Sequence, residues 1–227
     1  MRLRARSLAV VGVVTVLVTA ALVVAGVVLL GDGPDEADRE AAATPFTITT
    51  LAELGLDPTS VGVTRGPFCD EVDPREVEAA LGSEPADATA WQNGDPVPLR
   101  GGAQDVGHEF GCSWTGADGT VASAWVFAPP VDATRAAQLA QDTDAGWCTQ
   151  PSPAPAFGTS GTSLDCFGQG NGYVAYRGLF GDAWLTCRVE APPADPAAAP
   201  LDPTGLEDRA DRWCAGILRS VSSTANS

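Results

Sequence analysis

From Leu8 to Leu30 the chain carries 23 residues without a charged side chain, and beyond that run the apolar positions are short and periodic. A bilayer's hydrocarbon core takes roughly 20 apolar helical residues to cross, so the long run predicts a transmembrane helix. Arg2, Arg4 and Arg6 precede it and Asp32, Asp35 and Glu36 follow it, which by the positive-inside rule leaves residues 1–7 as a cytoplasmic tail and exports the chain from Gly31 onward. A cleaved export signal is the rival reading, with Val18 and Ala20 before a cut at Ala21. Ten more uncharged residues follow Ala20, longer than a signal's apolar region needs, and favour a retained signal-anchor.

The patterns after the span predict a tether and one domain. Residues 31–64 open with a polar, acidic, aperiodic stretch. Within them Phe46 and Ile48 alternate with Thr47 and Thr49 as a short strand would, and Thr50 with Glu53 three residues on reads as the start of a helical turn. The domain is expected over 65–221. Asp73, Pro74 and Glu76 suit the N-cap, first and third positions of a helix that buries Val77, Ala80 and Leu81 and stops at Gly82. A Gly/Pro/Asp-rich loop to Gly107 precedes a hairpin about Asp118-Gly119, where a two-residue turn pairs Cys112 with Trp125, Trp114 with Ser123 and Phe110 with Phe127. Asp132 caps a second helix carrying Ala136, Leu139 and Ala140 and running down to Trp147 and Cys148. Strands follow at 163–167, 172–180 and 183–190, with Leu164, Cys166, Val174, Tyr176, Phe180, Leu185, Cys187 and Val189 expected on one face. A final helix, opened by a Thr204/Glu207 capping box, buries Leu206, Ala210, Trp213, Ile217 and Val221. Residues 222–227 read as a disordered tail. This order predicts an α+β fold: an antiparallel sheet of about five strands with helices packed on one face.

Charge and cysteines narrow the function. All 13 basic residues are arginine, three of them before the span, so ten arginines against 29 acidic residues leave the exported part at −19. Nucleic acid is thereby a poor partner, because phosphate binding rests on basic side chains. The six cysteines all lie beyond the membrane, which points to three disulfides. No two are closer than 18 positions and there is one histidine, so the short ligand pairs of zinc sites and thioredoxin-type motifs are absent. His108 would have to be the base of any Ser-His-Asp triad, yet Ser160 and Ser163 sit in no nucleophile elbow. Asp142, Asp144 and Gly146 resemble the opening of a calcium loop whose bidentate Glu is replaced by Pro151, Ser152 and Pro153. The expectation is no catalytic residue, no cofactor and no metal.

Phe68-Cys69-Asp70, the run Val77 to Gly82 and Gly111-Cys112-Ser113-Trp114 resemble a family of uncharacterised actinobacterial extracytoplasmic proteins, many of them lipoproteins, that carry a Cys before a V-x-x-x-L-G helix and then a C-x-W strand. The resemblance covers residues 65–220 in outline, and this chain lacks the lipid-bearing cysteine. It implies an envelope-facing α+β domain with a disulfide from the first helix entry to the first strand, Cys69 to Cys112, and it carries over neither an enzymatic activity nor a catalytic residue. The remaining cysteines are expected to pair as Cys148 with Cys166 and Cys187 with Cys214; Cys166 and Cys187 would stand on strands separated by a third, too far apart to bridge.

The expected function is a membrane-anchored, non-catalytic binding or scaffold module of the cell envelope. An extracytoplasmic sensor acting through a partner is the alternative, since a seven-residue cytoplasmic tail holds no signalling domain, and an envelope hydrolase stands third. The expected partner-binding face is the outward side of the last hairpin, Tyr173, Arg177, Leu179, Trp184 and Arg188, with Leu179 opposite Trp184. Arg and aromatic side chains there suit an envelope protein or a small anionic ligand.

Overall fold

Asp73 accepts a hydrogen bond from the Arg75 backbone N–H at 2.9 Å, Pro74 occupies the first helical position, and Gly82 closes the helix at φ 74°. Helix Pro74–Leu81 therefore has the bounds its caps predict. It is seen in a computed structural model that describes residues 47–55, 57, 60–98, 104–141, 147–151, 156–168, 171–192 and 202–223. The membrane-span, tether and calcium-loop expectations at 8–30, 31–46 and 142–146 lie outside those residues. Among the described residues no helix is long and apolar enough to cross a membrane.

The elements run α1 (Leu51–Leu54), β1 (Gly62–Val63), a 3₁₀ turn (Cys69–Glu71), α2 (Pro74–Leu81), β2 (Pro85–Trp91), β3 (Pro96–Pro98), β4 (Gln104–Val106), β5 (Glu109–Gly116) and β6 (Val121–Phe127). Then follow α3 (Ala133–Gln141), β7 (Cys148–Thr149), β8 (Thr159–Gly168), β9 (Asn171–Phe180), β10 (Ala183–Glu190), α4 (Pro203–Val221) and β11 (Ser222–Ser223). Seven of these strands form one antiparallel sheet in the order β2-β5-β6-β10-β9-β8-β7. The antiparallel sheet with helices and three disulfides is as expected; the strand number is seven rather than about five. Strand β2 was hidden in the expected loop because in PADATAW only alanine alternates with Asp87 and Thr89, with no large apolar side chain to mark a buried face, and the strand is exposed over Pro85–Ala90. Cys148 belongs to β7, not to the end of the second helix, which stops at Gln141 among the described residues.

The compact unit begins by Ile48 rather than Arg65. The Thr50/Glu53 capping box is present and Leu51 of α1 is buried, while residues 47–50 form no strand. Gly62 and Val63 pair with Ser223 and Ser222, so the start of the expected tail is a strand. Helix α4 starts one residue before the expected box, with Asp202 as N-cap and Pro203 at the first position.

One face of the sheet, the inner face, packs α2 and α4. Ala122 and Ala124 of β6 are small enough to admit Trp213, whose indole meets Trp114 edge-on at 5.5 Å and donates to the Ser123 carbonyl at 3.0 Å. All five residues of the expected α4 stripe are buried there. Glu76 is buried too, at 3% exposure, where its Oε1 accepts from Arg219; burial outweighs that cation and holds its carboxyl above the ordinary value.

Helix α3 corrects the expectation that helices share one face. It lies on the other, outer face, packing Ala136, Leu139 and Ala140 against Leu179, Trp184, Val131 and Phe127. All three expected disulfides are formed, Cys69–Cys112, Cys148–Cys166 and Cys187–Cys214, with Cα separations of 5.8, 4.1 and 5.6 Å. As expected, β9 stands between the strands of Cys166 and Cys187.

Candidate functional site

Register decides which side chains reach the outer face, because a one-residue slip moves every side chain to the opposite side. The last hairpin has the expected register, with Leu179 opposite Trp184 and Tyr176 opposite Cys187. The other two hairpins are each offset by one. At Asp118-Gly119 the turn holds three residues, not two. Gly116 and Thr120 close it, Gly119 takes the left-handed φ of 90°, and both Asp118 oxygens accept from Thr120 at 2.9 Å. Cys112 therefore opposes Ala124 and Trp114 opposes Ala122, and Trp125 and Phe127 lie on the outer face rather than with Cys112. In the β8–β9 hairpin Gly168 opposes Asn171, which pairs even positions with odd ones. Leu164 and Cys166 consequently join Ala175 and Tyr173 on the outer face, not the core side with Val174.

The five expected partner-binding residues do share the outer face, but three are buried. Trp184 is 2% exposed and Leu179 is buried beside it beneath α3. The amphipathic pattern of α3 shows that one of its sides is apolar but not which face of the sheet it meets. Tyr173 is buried as well, while Arg177 and Arg188 are half-buried.

Around those arginines a band of aromatic and polar side chains crosses the outer face clear of α3's apolar contacts. At the β7 edge Trp147, 40% exposed, meets Tyr173 edge-on at 5.7 Å, and the Arg188 guanidinium lies 5.0 Å from the Tyr173 ring centre. Arg188 also pairs with Glu190 at 2.8 Å. Ser123 opposes Arg188 directly, and both Ser123 Oγ and Arg188 Nε are buried without a hydrogen-bond partner among the described residues. One row over stand Arg177, Thr186, Trp125, Gly111 and Trp91 in successive cross-strand positions. Glycine at 111 is required by this arrangement, since a Cβ there would lie 2.3 Å from the Trp91 ring and 2.8 Å from Trp125 Cβ. The Trp91 indole donates to Glu109 Oε1 at 3.1 Å, and burial raises the Glu109 carboxyl above its ordinary value despite that bond.

This band joins four aromatic side chains and two arginines in a chain otherwise rich in carboxylates. It offers stacking, cation–π contact and charge-assisted hydrogen bonds, the chemistry of binding hot spots. Sequence reading misses Trp91 and Trp125 because one lies in an expected loop and the expected pairing of the other with Cys112 is one residue off. Residues weighed for catalysis are apart in character: His108 is exposed, whereas Ser163 is fully buried in β8 with no partner for its Oγ among the described residues. Among the described residues no three His, Cys, Asp or Glu side chains are grouped to hold a metal ion. No protein-family model and no curated protein matches the chain.

Proposed function

We propose that the chain is a membrane-anchored, extracytoplasmic, non-catalytic binding or scaffold module of the cell envelope. Leu8–Leu30 would anchor it with the N-terminus cytoplasmic, and three disulfides suit an oxidising compartment. The resemblance of its Cys69, Val77–Gly82 and Cys112–Trp114 motifs to actinobacterial extracytoplasmic proteins supports the same location.

The observation that carries the binding role is the outer band, in which Arg188 and Ser123 hold buried polar atoms without partners beside half-buried Trp125 and Trp91. A buried donor left unmade costs about 1–3 kcal/mol, an expense that a partner supplying an acceptor relieves. An envelope protein presenting a carboxylate, or a small anionic ligand, meets that need at Arg188. The test is affinity purification of the full chain from solubilised envelope, with Arg188→Ala and Trp125→Ala beside the wild type. A partner retained by the wild type and lost from both variants, at unchanged melting temperature, agrees with the proposal. A partner retained by both removes the band as its site.

A further inference from the structure

A second surface lies at the opposite edge of the sheet from β7. Strand β2 is the terminal strand, paired with β5 on one side only, so among the described residues its other edge offers backbone N–H and C=O groups to no strand. Natural edges are blunted by proline, charge and bulges. Here those devices crowd the start of the strand, as Pro85, Asp87 and the register shift between them, and Ala88–Trp91 carries none. On the inner side of the same stretch Ala88 and Ala90 are exposed and small. Beside them opens a groove of about 220 Å³. Phe68 and Cys69 form its apolar wall, and Asp70, Glu71 and Asp95 line it with carboxylates.

That volume is below the roughly 300–1,000 Å³ of pockets for drug-sized ligands and suits one side chain. An apolar wall ending in carboxylates matches a long aliphatic stem ending in a cation. We infer that the Ala88–Trp91 edge and this groove receive an extended peptide segment by strand addition, with a lysine or arginine of that segment seated among Asp70, Glu71 and Asp95. Strand addition supplies affinity through main-chain bonds and selectivity through the side-chain pocket. The site uses the other face of the sheet from the outer band, because Ala88 and Ala90 share a face with Trp114 and Cys112, the side that packs α2 and α4; Trp91 alone belongs to both, lining the groove and ending the band.

The experiment is calorimetric titration of the full chain with a capped seven-residue peptide of alternating threonine and valine carrying one central lysine. Saturable binding is expected, and about a tenfold loss of affinity from each of three changes: Asp70→Asn with Glu71→Gln in the protein, glutamate for lysine in the peptide, and N-methylation of the peptide backbone. Both protein positions are exposed, and an unchanged melting temperature of the double variant shows that the fold is intact. Absence of saturable binding to the wild-type chain overturns the inference. So does binding indifferent to the double variant, which removes the cation seat, or binding indifferent to N-methylation, which removes strand addition.

Discussion

Trp184 is where a surface reading and a core reading of one residue part company. Its position opposite Leu179 puts it on the outer face, and α3 then covers it to 2% exposure. Replacing a buried Trp by Ala typically costs about 3–5 kcal/mol, so Trp184→Ala should lower the unfolding free energy by that much in chemical denaturation. A loss under about 1 kcal/mol would mean that α3 does not pack there. The buried carboxyls make a second prediction at this scale. Burial raises Glu76, Glu109, Asp165 and Asp211 above their ordinary values of 4.5 and 3.8. The folded state therefore holds those protons more tightly than the unfolded one. Their stabilisation is full below the ordinary values and is lost as pH rises through the raised ones. Asp73 works in the opposite sense: its bonds to Arg75 hold it down to about 2, so its contribution is present above 3.8 and lost as pH falls toward 2. The urea midpoint should rise from about pH 7 to about pH 5, and Glu109→Gln should shrink that rise. A midpoint that falls over the same interval would contradict the account.

Elements differed in how plainly they were written in the sequence, and the differences have physical causes. Helix α2 was legible to the residue because Asp73, Pro74 and Gly82 are local signals that tertiary contacts did not override. The β9–β10 register was legible for a related reason, since Gly181-Asp182 makes a two-residue turn between strands of unbroken alternation. At Asp118-Gly119 the same dipeptide logic failed by one residue, because a three-residue turn also places glycine at positive φ and also uses an Asp before it. Strand β2 left little signal, being an edge strand exposed over Pro85–Ala90 whose alternating residues are alanines. Half of the candidate site followed from these cases: Tyr173, Arg177 and Arg188 were legible with their hairpin, and Trp91 and Trp125 were not. The shortest strand of the seven-stranded sheet carries its own test. Strand β7 has two residues and is fastened by Cys148 to Cys166, its direct partner in the ladder. Closing a loop of this size is worth about 3 kcal/mol in the chain-entropy account. Cys148→Ser with Cys166→Ser should remove that much from the unfolding free energy and expose Trp147 to quencher, through loss of its seat on Tyr173. Unchanged stability and quenching would show that β7 is held by something other than its disulfide.

At the scale of the whole molecule, the sheet separates the main core from the proposed binding band by face. Its inner side, with α2 and α4, contains the largest apolar cluster and two of the three disulfides. Its outer side carries α3 over one end and leaves the band from Trp147 to Trp91 beside it. The proposed binding role in the envelope requires that the band meet a partner there, and photo-crosslinking in cells tests the requirement most directly. The full chain would carry Trp125→p-benzoylphenylalanine in one strain and, as a control on the exposed side of α3, Arg135→p-benzoylphenylalanine in another. The account predicts a discrete adduct from position 125 that is absent from position 135 and is lost when Arg188→Ala is added. No adduct from position 125, or the same adduct from both positions, would contradict it.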